Sequence, residues 1–398
     1  MVEQRRVRVA FLASCVRGGG AGWSLYYLIK HLDRSRIEPL IILPDRGIFG
    51  ERYDALGVEI LVPRVFPETR TALRFRRNTQ FTQQLSGALN IADQFRMIPA
   101  LVKTLRERRV DLLYCNNMRM HEIGAPAAQI AGIPCVLHAR NLYDSSVRNW
   151  MYRQIAKLPA VRSVIANSIA TAEPYRGLAK LHVIHNGIDT SEYRAEDVPI
   201  GHFRRELGIT EDTPLIGFTG RIEPKKGLEV LIRAAKRLLD SHPEVVFAIV
   251  GEVPNSSPID YRSEYETLSR SLGVSDRIVF AGFRRDIRPA VVDFDIVALP
   301  SFREPFGRTI IEGMALGRPV VSCASGGVLE IVTDGHDGLL VPPGDVTALA
   351  NALIRLIENP DERNTLGMAA ATTARERFDV AGLSQKIQKI LLKAIVSE

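Results

Sequence analysis

Two glutamates eight residues apart, Glu304 and Glu312, lie where a predicted strand gives way to a predicted helix. The apolar run Ile296–Pro300 predicts a buried strand, and apolar residues at helical spacing predict a helix over Thr309–Leu316. A parallel α/β sheet binds ligands at the carboxyl ends of its strands, where a helix N-terminus offers N–H groups to a phosphate. Because carboxylates accept hydrogen bonds from hydroxyls, this combination suits a sugar nucleotide.

An acid/base pair is the alternative interpretation of the two glutamates. Glycosidases hold two carboxyl groups about 5 to 10 Å apart across the scissile bond, and a loop could allow that spacing. The helix macrodipole alone also favours a glutamate early in a helix. The sequence contains no Gly-x-Ser-x-Gly, phosphate-loop lysine or His-Glu-x-x-His motif.

A basic loop, 220–227, follows another predicted strand. Arg221 and Lys226 flank it, and two cations at the carboxyl end of a strand suit a diphosphate. A charged surface loop without a ligand is the alternative.

Three further positions are candidates. A glycine turn that includes Gly19 and Gly20 follows the first strand, and His138 ends another strand. Phe283 and Arg284 lie on a loop that could offer a face to a nucleobase. The alternatives are a structural turn, a structural histidine and a helix-capping loop.

The elements that must position these residues alternate between strand and helix in both halves of the chain. Such alternation predicts two doubly wound, mainly parallel α/β domains, which we expect to face a cleft. We predict an N-terminal domain over 1–190, a second domain over 191–375, and a terminal segment over 376–398 that returns to the first domain as part of a long helix, Glu362–Val396. A helix is also predicted over Asp286–Phe294. The predicted strands are Val7–Leu12, Leu40–Leu43, Val58–Leu61, Leu112–Cys115, Pro134–Leu137, Ser163–Ala166, His182–Ile184, Leu215–Thr219, Val245–Val250, Ile278–Phe280, Ile296–Pro300, Val320–Cys323 and Gly338–Val341.

The charge is unevenly distributed along the 398 residues. Residues 1–190 hold 27 Lys and Arg against 15 Asp and Glu, whereas the remainder holds 25 against 30. A basic N-terminal half indicates either a solvated face or attraction to an anionic lipid surface or a phosphorylated acceptor. No nucleic-acid module is recognisable, so we expect no nucleic-acid partner.

The sequence predicts a cytosolic protein. No apolar run approaches the ~20 residues of a membrane-spanning helix, and the N-terminus lacks the features of a signal peptide. The four cysteines are widely spaced in apolar strand-like runs, which favours reduced, buried thiols over a disulfide framework or a zinc site.

Six motifs together resemble the retaining glycosyltransferases of family 4, which have the two-domain GT-B architecture. The resemblance covers almost the whole chain and rests on Gly18-Gly19-Gly20, Ala166-Asn167-Ser168, Asn186-Gly187-Ile188-Asp189, Gly220 through Gly227, Glu304 through Glu312, and Gly326 through Glu330. One departure is that Gly22-Trp23 stands where family members often carry an acid.

The resemblance implies a role for each candidate. Arg221 and Lys226 would neutralise the donor diphosphate, Glu312 would bind the ribose and Glu304 a hydroxyl of the donor sugar. His138 would contact the transferred sugar. The remaining donor-binding residues would be Gly19, Gly20, Phe283, Arg284, Phe306, Gly307, Arg308 and Thr309.

The function expected from the resemblance is transfer of a sugar from a UDP- or GDP-sugar to a glycan or lipid-linked acceptor, with retention and without a metal or other cofactor. Acceptor recognition is expected in residues 64–97 and 117–150. A GT-B-shaped epimerase or phosphorylase, and a non-catalytic subunit that binds sugar nucleotides, are the alternatives.

Overall fold

The computed structural model describes residues 5–14, 19–63, 97–143, 145–254 and 257–396. These form two compact units. The first runs to Asn186 and includes the C-terminal helix from Val380, and the second is Gly187–Asp379. The boundaries thus lie at Gly187 and Val380, against the 191 and 376 of the sequence prediction. Residues 64–96, nearly all of the first segment predicted to recognise the acceptor, lie outside the described residues.

The first unit is a seven-stranded parallel sheet with helices on both faces, in the order β3-β2-β1-β4-β5-β6-β7 among the described strands. The strands are β1 (Val7–Leu12), β2 (Ile37–Ile42), β3 (Glu59–Leu61), β4 (Leu112–Cys115), β5 (Cys135–Ala139), β6 (Val161–Ala166) and β7 (Leu181–Val183). The helices are α1 (Gly20–Lys30), α2 (Gly50–Ala55), α3 (97–107), α4 (Met118–Ala131), α5 (Ser146–Ala156), α6 (Ile169–Ala172) and the C-terminal helix (Val380–Val396).

This sheet has a buried core on each face, because successive residues of a strand point to opposite sides. Along β1, Val9 and Phe11 pack with α1, α2 and the C-terminal helix. Ala10 and Leu12 pack with α3, α4 and α5 on the other face. Burial on both faces explains why the strands are nearly continuous apolar runs.

The second unit is a six-stranded parallel sheet in the order β10-β9-β8-β11-β12-β13 among the described strands. Its strands are β8 (Leu215–Thr219), β9 (Val246–Val250), β10 (Ile278–Gly282), β11 (Ile296–Leu299), β12 (Val320–Cys323) and β13 (Leu339–Val341). Its helices are α7 (His202–Leu207), α8 (Leu228–Leu239), α9 (Tyr261–Ser271), α10 (Arg288–Val291), α11 (Arg308–Ala315), α12 (Val346–Glu358) and α13 (Pro360–Phe378). The described 3₁₀ turns of both units are Gly47–Phe49, Glu173–Tyr175, Ala195–Asp197, Pro224–Lys226, Ser275–Arg277 and Gly326–Glu330.

Both sheets confirm the predicted doubly wound α/β class. In each unit the chain builds one half of the sheet and then returns to the middle to build the other half. The strand order therefore reverses between β1 and β4 in the first unit, and between β8 and β11 in the second. Such reversal points are where doubly wound sheets bind their ligands.

Two predicted helices differ from the observed ones. The long helix predicted over Glu362–Val396 is two helices, because the backbone is extended at Asp379. The helix predicted over Asp286–Phe294 shortens to α10, since the Asp286 carboxylate accepts the Arg288 backbone N–H at 3.0 Å and ends the preceding loop there.

The two points where the chain passes between units lie side by side within the second unit. The Ile188 N–H donates to the Phe378 carbonyl at 3.0 Å, and Ile188 forms a parallel bridge with Asp379. The Thr190 hydroxyl donates to the Asp379 carboxylate at 2.6 Å. These bonds tie the outgoing and returning segments together.

Three of the four cysteines lie within the described residues. Cys115, Cys135 and Cys323 are free and buried, while Cys15 lies outside the described residues. Within the described chain no helix combines the length and apolarity needed to cross a membrane.

Candidate functional site

The loops after β8 and β11 pack directly against each other at the reversal point of the second sheet. The Phe302 backbone N–H donates to the Lys225 carbonyl at 3.0 Å. Gly227 has a left-handed φ of 73°, and a Cβ atom there would lie 1.9 Å from the Pro300 carbonyl oxygen. Only glycine allows this contact. Gly227 therefore lets the basic loop lie directly against the loop after β11, residues 300–307, which we call the acidic loop.

Lys226 and Glu304 form an ion pair between these loops. Their Nζ and Oε2 atoms are 2.5 Å apart, and the two side chains are 17% and 14% exposed. The structure thus joins two residues that lie 78 positions apart in the sequence.

Glu304 is also held through its backbone by the motif Gly326 through Glu330. The Gly327 N–H donates to the Glu304 carbonyl at 2.9 Å. A Cβ atom on Gly326 would lie 2.1 Å from the same carbonyl oxygen, and one on Gly327 would lie 2.6 Å from the Phe306 Cα. The glycine pair therefore lets the segment after β12 lie against the acidic loop.

Arg221 pairs with Glu223 at 2.8 Å rather than joining the Lys226–Glu304 pair directly. Its side chain is 54% exposed, and Lys225 approaches the same glutamate at 3.5 Å. Arg221 is the exposed member of this pair, whereas Glu223 is only 14% exposed and keeps Lys225 beside it.

The start of α11 is arranged to receive an anion. Gly307 precedes the helix with a φ of 118°, which favours glycine. Phe306 is buried and packs edge-on against Phe378, with ring centroids 5.9 Å apart. Thr309 in the first turn is half-buried. Amides of a first helical turn point along the axis toward an anion.

Glu312 is buried one turn further along α11. Arg308 Nε lies 2.8 Å from Glu312 Oε1, with both side chains 7% exposed, and the Tyr193 hydroxyl donates to the same oxygen at 3.3 Å. Burial raises the pKa of Glu312, and the Arg308 charge opposes that rise. The carboxylate is therefore held in place before any ligand arrives.

The sequence analysis did not find Tyr193 or the Arg308–Glu312 pair. The spacing of four residues on a helix could have indicated the pair. Tyr193 lies 119 residues before Glu312, in a segment without periodicity, and carries no such signal.

Phe283 and Arg284 occupy the loop after β10. Phe283 is about half-exposed. Arg284 pairs with Glu206 and stacks over Phe203, whose ring centroid is 5.9 Å from the guanidinium carbon. Arg284 therefore anchors α7 in this structure, while the Phe283 ring is the part of the loop open to a ligand.

In the first unit the glycine turn and the loop after β4 meet at the reversal point. Gly19 has a φ of 92° and precedes α1, which begins at Gly20; Gly18 lies outside the described residues. The Asn116 side-chain amide donates to the Ala21 carbonyl at 3.0 Å. Asn116 thereby fixes the first turn of α1 against β4.

His138 lies on the adjacent strand β5 and is 1% exposed. Its Nδ1 atom contacts the Tyr114 hydroxyl and lies 3.2 Å from Arg140 Nη2. Burial, the Arg140 charge and His121 hold the pKa of His138 well below its usual value, so the ring is neutral at physiological pH. Tyr114 was not found from the sequence.

Within the described residues no cluster of three or more His, Cys, Asp or Glu is placed to hold a metal ion.

Comparison with known proteins identifies the class. Residues 18–192 match the family model described as Glycosyltransferase Family 4, and residues 200–373 match Glycosyl transferases group 1. HepE of Anabaena, solved with UDP-glucose, superimposes with a TM-score of 0.81 over 98% of this chain and all of its own, at 29% identity. Sucrose-phosphate synthase from Thermosynechococcus elongatus shares the fold, at a TM-score of 0.80 and 20% identity over 99% of this chain and all of its own. Both units are thus α/β domains of the GT-B type.

Curated relatives place the chain more closely. The D-inositol 3-phosphate glycosyltransferase of Corynebacterium glutamicum is 34% identical over 319 residues, covering 74% of this chain and 75% of the relative. That of Kribbella flavida is 37% identical over 205 residues, covering 50% and 47%, so the match spans about half of that relative's length. The chain belongs to the group 1, or family 4, glycosyltransferases.

Proposed function

We propose that this protein transfers a sugar from a nucleotide-sugar donor to a hydroxyl acceptor, with retention at the anomeric carbon. The observation that carries the proposal is the Lys226–Glu304 pair, which joins the basic and acidic loops at the reversal point of the second sheet. A transferase site needs cations for a diphosphate leaving group and an acceptor for sugar hydroxyls, and this pair supplies both.

The Lys226–Glu304 pair has hydrogen-bonding capacity left for the sugar nucleotide. An ammonium group has three N–H donors, and a carboxylate accepts about four hydrogen bonds. With one N–H directed at Glu304, Lys226 can still contact the diphosphate, and Glu304 can still accept from a sugar hydroxyl. Arg221 and the first-turn amides of α11 add positive charge for the negative charge that develops on the leaving phosphate. We therefore propose that the reaction needs no divalent metal.

The proposed donor is a UDP-sugar, with a GDP-sugar as the alternative. HepE, at 29% identity, was solved with UDP-glucose. Glu312 is the group proposed to bind the ribose hydroxyls, because Arg308 and Tyr193 hold its carboxyl group in place. Phe283 is proposed to contact the base.

The proposed acceptor is a glycan or a lipid-linked sugar in cell-envelope or polysaccharide synthesis, acted on in the cytoplasm. The basic charge of residues 1–190 supports attraction to an anionic membrane surface. Co-sedimentation with vesicles containing anionic lipid at low salt tests this part of the proposal. Failure to bind under those conditions would remove it.

A phosphorylated cyclitol is a second candidate acceptor. The relatives at up to 37% identity are named D-inositol 3-phosphate glycosyltransferases, and the same basic charge would attract a phosphorylated small molecule. A side-by-side assay of inositol 3-phosphate and lipid-linked sugars, each with UDP-sugars, distinguishes the two acceptor classes.

The first experiment is a thermal-shift screen of nucleotide sugars followed by a turnover assay with the stabilising donor. A ligand that binds only the folded state raises the midpoint. We expect acceptor-dependent release of UDP, and its loss in Glu304→Ala, Lys226→Ala and Arg221→Ala. Full turnover in all three variants would overturn the proposal, and acceptor-independent formation of a free sugar or sugar phosphate would favour an epimerase or phosphorylase.

A further inference from the structure

His138 has one satisfied and one unsatisfied ring nitrogen. Nδ1 contacts the Tyr114 hydroxyl and Arg140 Nη2. Nε2 is buried and has no hydrogen-bond partner within the part of the chain that the structure describes. Because buried polar atoms in proteins are nearly always hydrogen-bonded, Nε2 is the ring nitrogen with hydrogen-bonding capacity left for a ligand.

Arg140 determines which ring nitrogen carries the proton. A guanidinium group has donors and no acceptor, so an imidazole nitrogen that faces it must accept. A neutral imidazole has one N–H and one acceptor nitrogen, and the bond made by one nitrogen sets the state of the other. With Nδ1 accepting, Nε2 carries the hydrogen. Tyr114 fits this arrangement, since Arg140 Nη2 lies 3.5 Å from its hydroxyl oxygen and its O–H can donate to Nδ1.

Arg140 is itself held from two sides by asparagines. Its Nε donates to Asn116 Oδ1 at 3.0 Å, and its Nη1 donates to Asn186 Oδ1. Asn116 also bonds the first turn of α1 at Ala21. Asn186 is the last residue of the first unit before the chain passes into the second. Arg140 is 6% exposed, so it has little freedom to leave this position.

We propose that Arg140 is a positioning residue that fixes His138 as the Nε2–H form and presents that N–H to an oxygen of the sugar substrate. His138 then acts as a hydrogen-bond donor, and its Nε2 does not act as a base. Asn186 in the Asn186-Gly187-Ile188-Asp189 motif contributes by orienting Arg140. This inference rests on the proposed function for the identity of the ligand, but the form of the ring is a property of the protein alone.

The experiment reads the tautomer by ¹⁵N NMR in the full chain labelled at histidine nitrogens, above pH 7. A protonated and an unprotonated ring nitrogen resonate far apart, and the His138 signals are those lost in His138→Gln. We expect Nε2–H in the wild type and in Tyr114→Phe, because Arg140 alone enforces it. Arg140→Met should give a mixture, since the tyrosine hydroxyl can donate or accept, and Arg140→Lys should restore Nε2–H.

Kinetics supply the second measurement. With the donor found in the screen, Arg140→Met should lower kcat about tenfold to a hundredfold, with the Kd for UDP unchanged and with partial recovery in Arg140→Lys. Arg36→Met, at an exposed arginine of the same unit, is the matched control and should behave as wild type.

Wild-type His138 in the Nδ1–H form would overturn the inference even if Arg140→Met fails to fold. An Arg140→Met variant that keeps a pure Nε2–H ring and wild-type kcat would also overturn it. If the wild type transfers no sugar, the proposed function is wrong. The ¹⁵N measurement still determines the tautomer of His138 in that case.

Discussion

Lys226 Nζ lies 2.5 Å from Glu304 Oε2, so the loop after β8 and the loop after β11 share a single ion pair. Each charge is mostly withdrawn from solvent and balanced by the other. Removing one partner of such a pair leaves the other uncompensated. The pair therefore has to be tested as one unit.

Lys226→Met should weaken UDP binding about tenfold or more, because it removes a cation from the proposed diphosphate site. In free energy of unfolding, the double variant with Glu304→Gln should lose less than the sum of the single losses, since the residues interact directly. Calorimetric titration of UDP and urea unfolding measure the two effects. Additive losses of stability would contradict the coupling.

Glu312→Gln should weaken donor binding by about tenfold, the loss expected for a hydrogen bond to a charged group, while kcat changes much less. The sharper measurement compares UDP with 2′,3′-dideoxy-UDP. The wild type should prefer UDP, and the variant should lose that preference because the missing hydroxyls no longer meet a carboxylate. An equal preference in both proteins would remove Glu312 from the ribose site.

Gly227→Ala should destabilise the protein by several kcal/mol, because it adds left-handed strain and a Cβ atom 1.9 Å from the Pro300 carbonyl oxygen. Gly273 is the matched control: its φ is 68°, and a Cβ atom there would meet nothing within 4 Å. Gly273→Ala should lose only about 1–2 kcal/mol, the strain alone. Equal losses in urea unfolding would show that the contact between the loops is unimportant.

The stability of the first unit should fall as the pH drops from about 6.5 toward 3. Burial lowers the pKa of His121 from 6.5 to about 3, and the pKa of His138 shifts in the same direction. Between these values the unfolded chain binds protons that the folded chain does not, so acid favours unfolding.

The slope of the free energy of unfolding against pH assigns the effect to His121. Below about pH 6 the wild type should lose up to about 1.4 kcal/mol more per pH unit than His121→Asn. Both tryptophans, Trp23 and Trp150, lie in the first unit, so their fluorescence in urea reports the unit that contains His121. Parallel pH profiles for the two proteins would contradict the assignment.

The sequence predicted local features well, and distant contacts poorly. Strands β1, β4, β8 and β12 begin and end where predicted, because each is a mainly apolar run packed on both faces of its sheet. The end of α13 at Asp379 was missed, since its apolar residues continue into the next helix at similar spacing. The break becomes visible only where Ile188 bonds to Phe378.

The candidate site shows the same difference between local features and distant contacts. Lys226 and Glu304 were singled out separately from their loops, but their pairing depends on β8 and β11 being neighbours, which no local pattern encodes. The Arg308–Glu312 pair lies on one helix and was within reach of a spacing argument. Tyr114 and Tyr193 approach His138 and Glu312 from distant parts of the chain, and an isolated buried tyrosine resembles any other core aromatic.

The proposed function depends most on the contact of Glu304 with the donor sugar. Its most direct test is acceptor-dependent UDP release by Glu304→Gln, which keeps the size of the side chain and removes its charge. Glu229→Gln, in an exposed ion pair with Arg233 on α8, is the control. We predict a loss of about a hundredfold or more in kcat for Glu304→Gln with UDP still bound, and wild-type turnover for the control. Wild-type kcat in Glu304→Gln would contradict that contact.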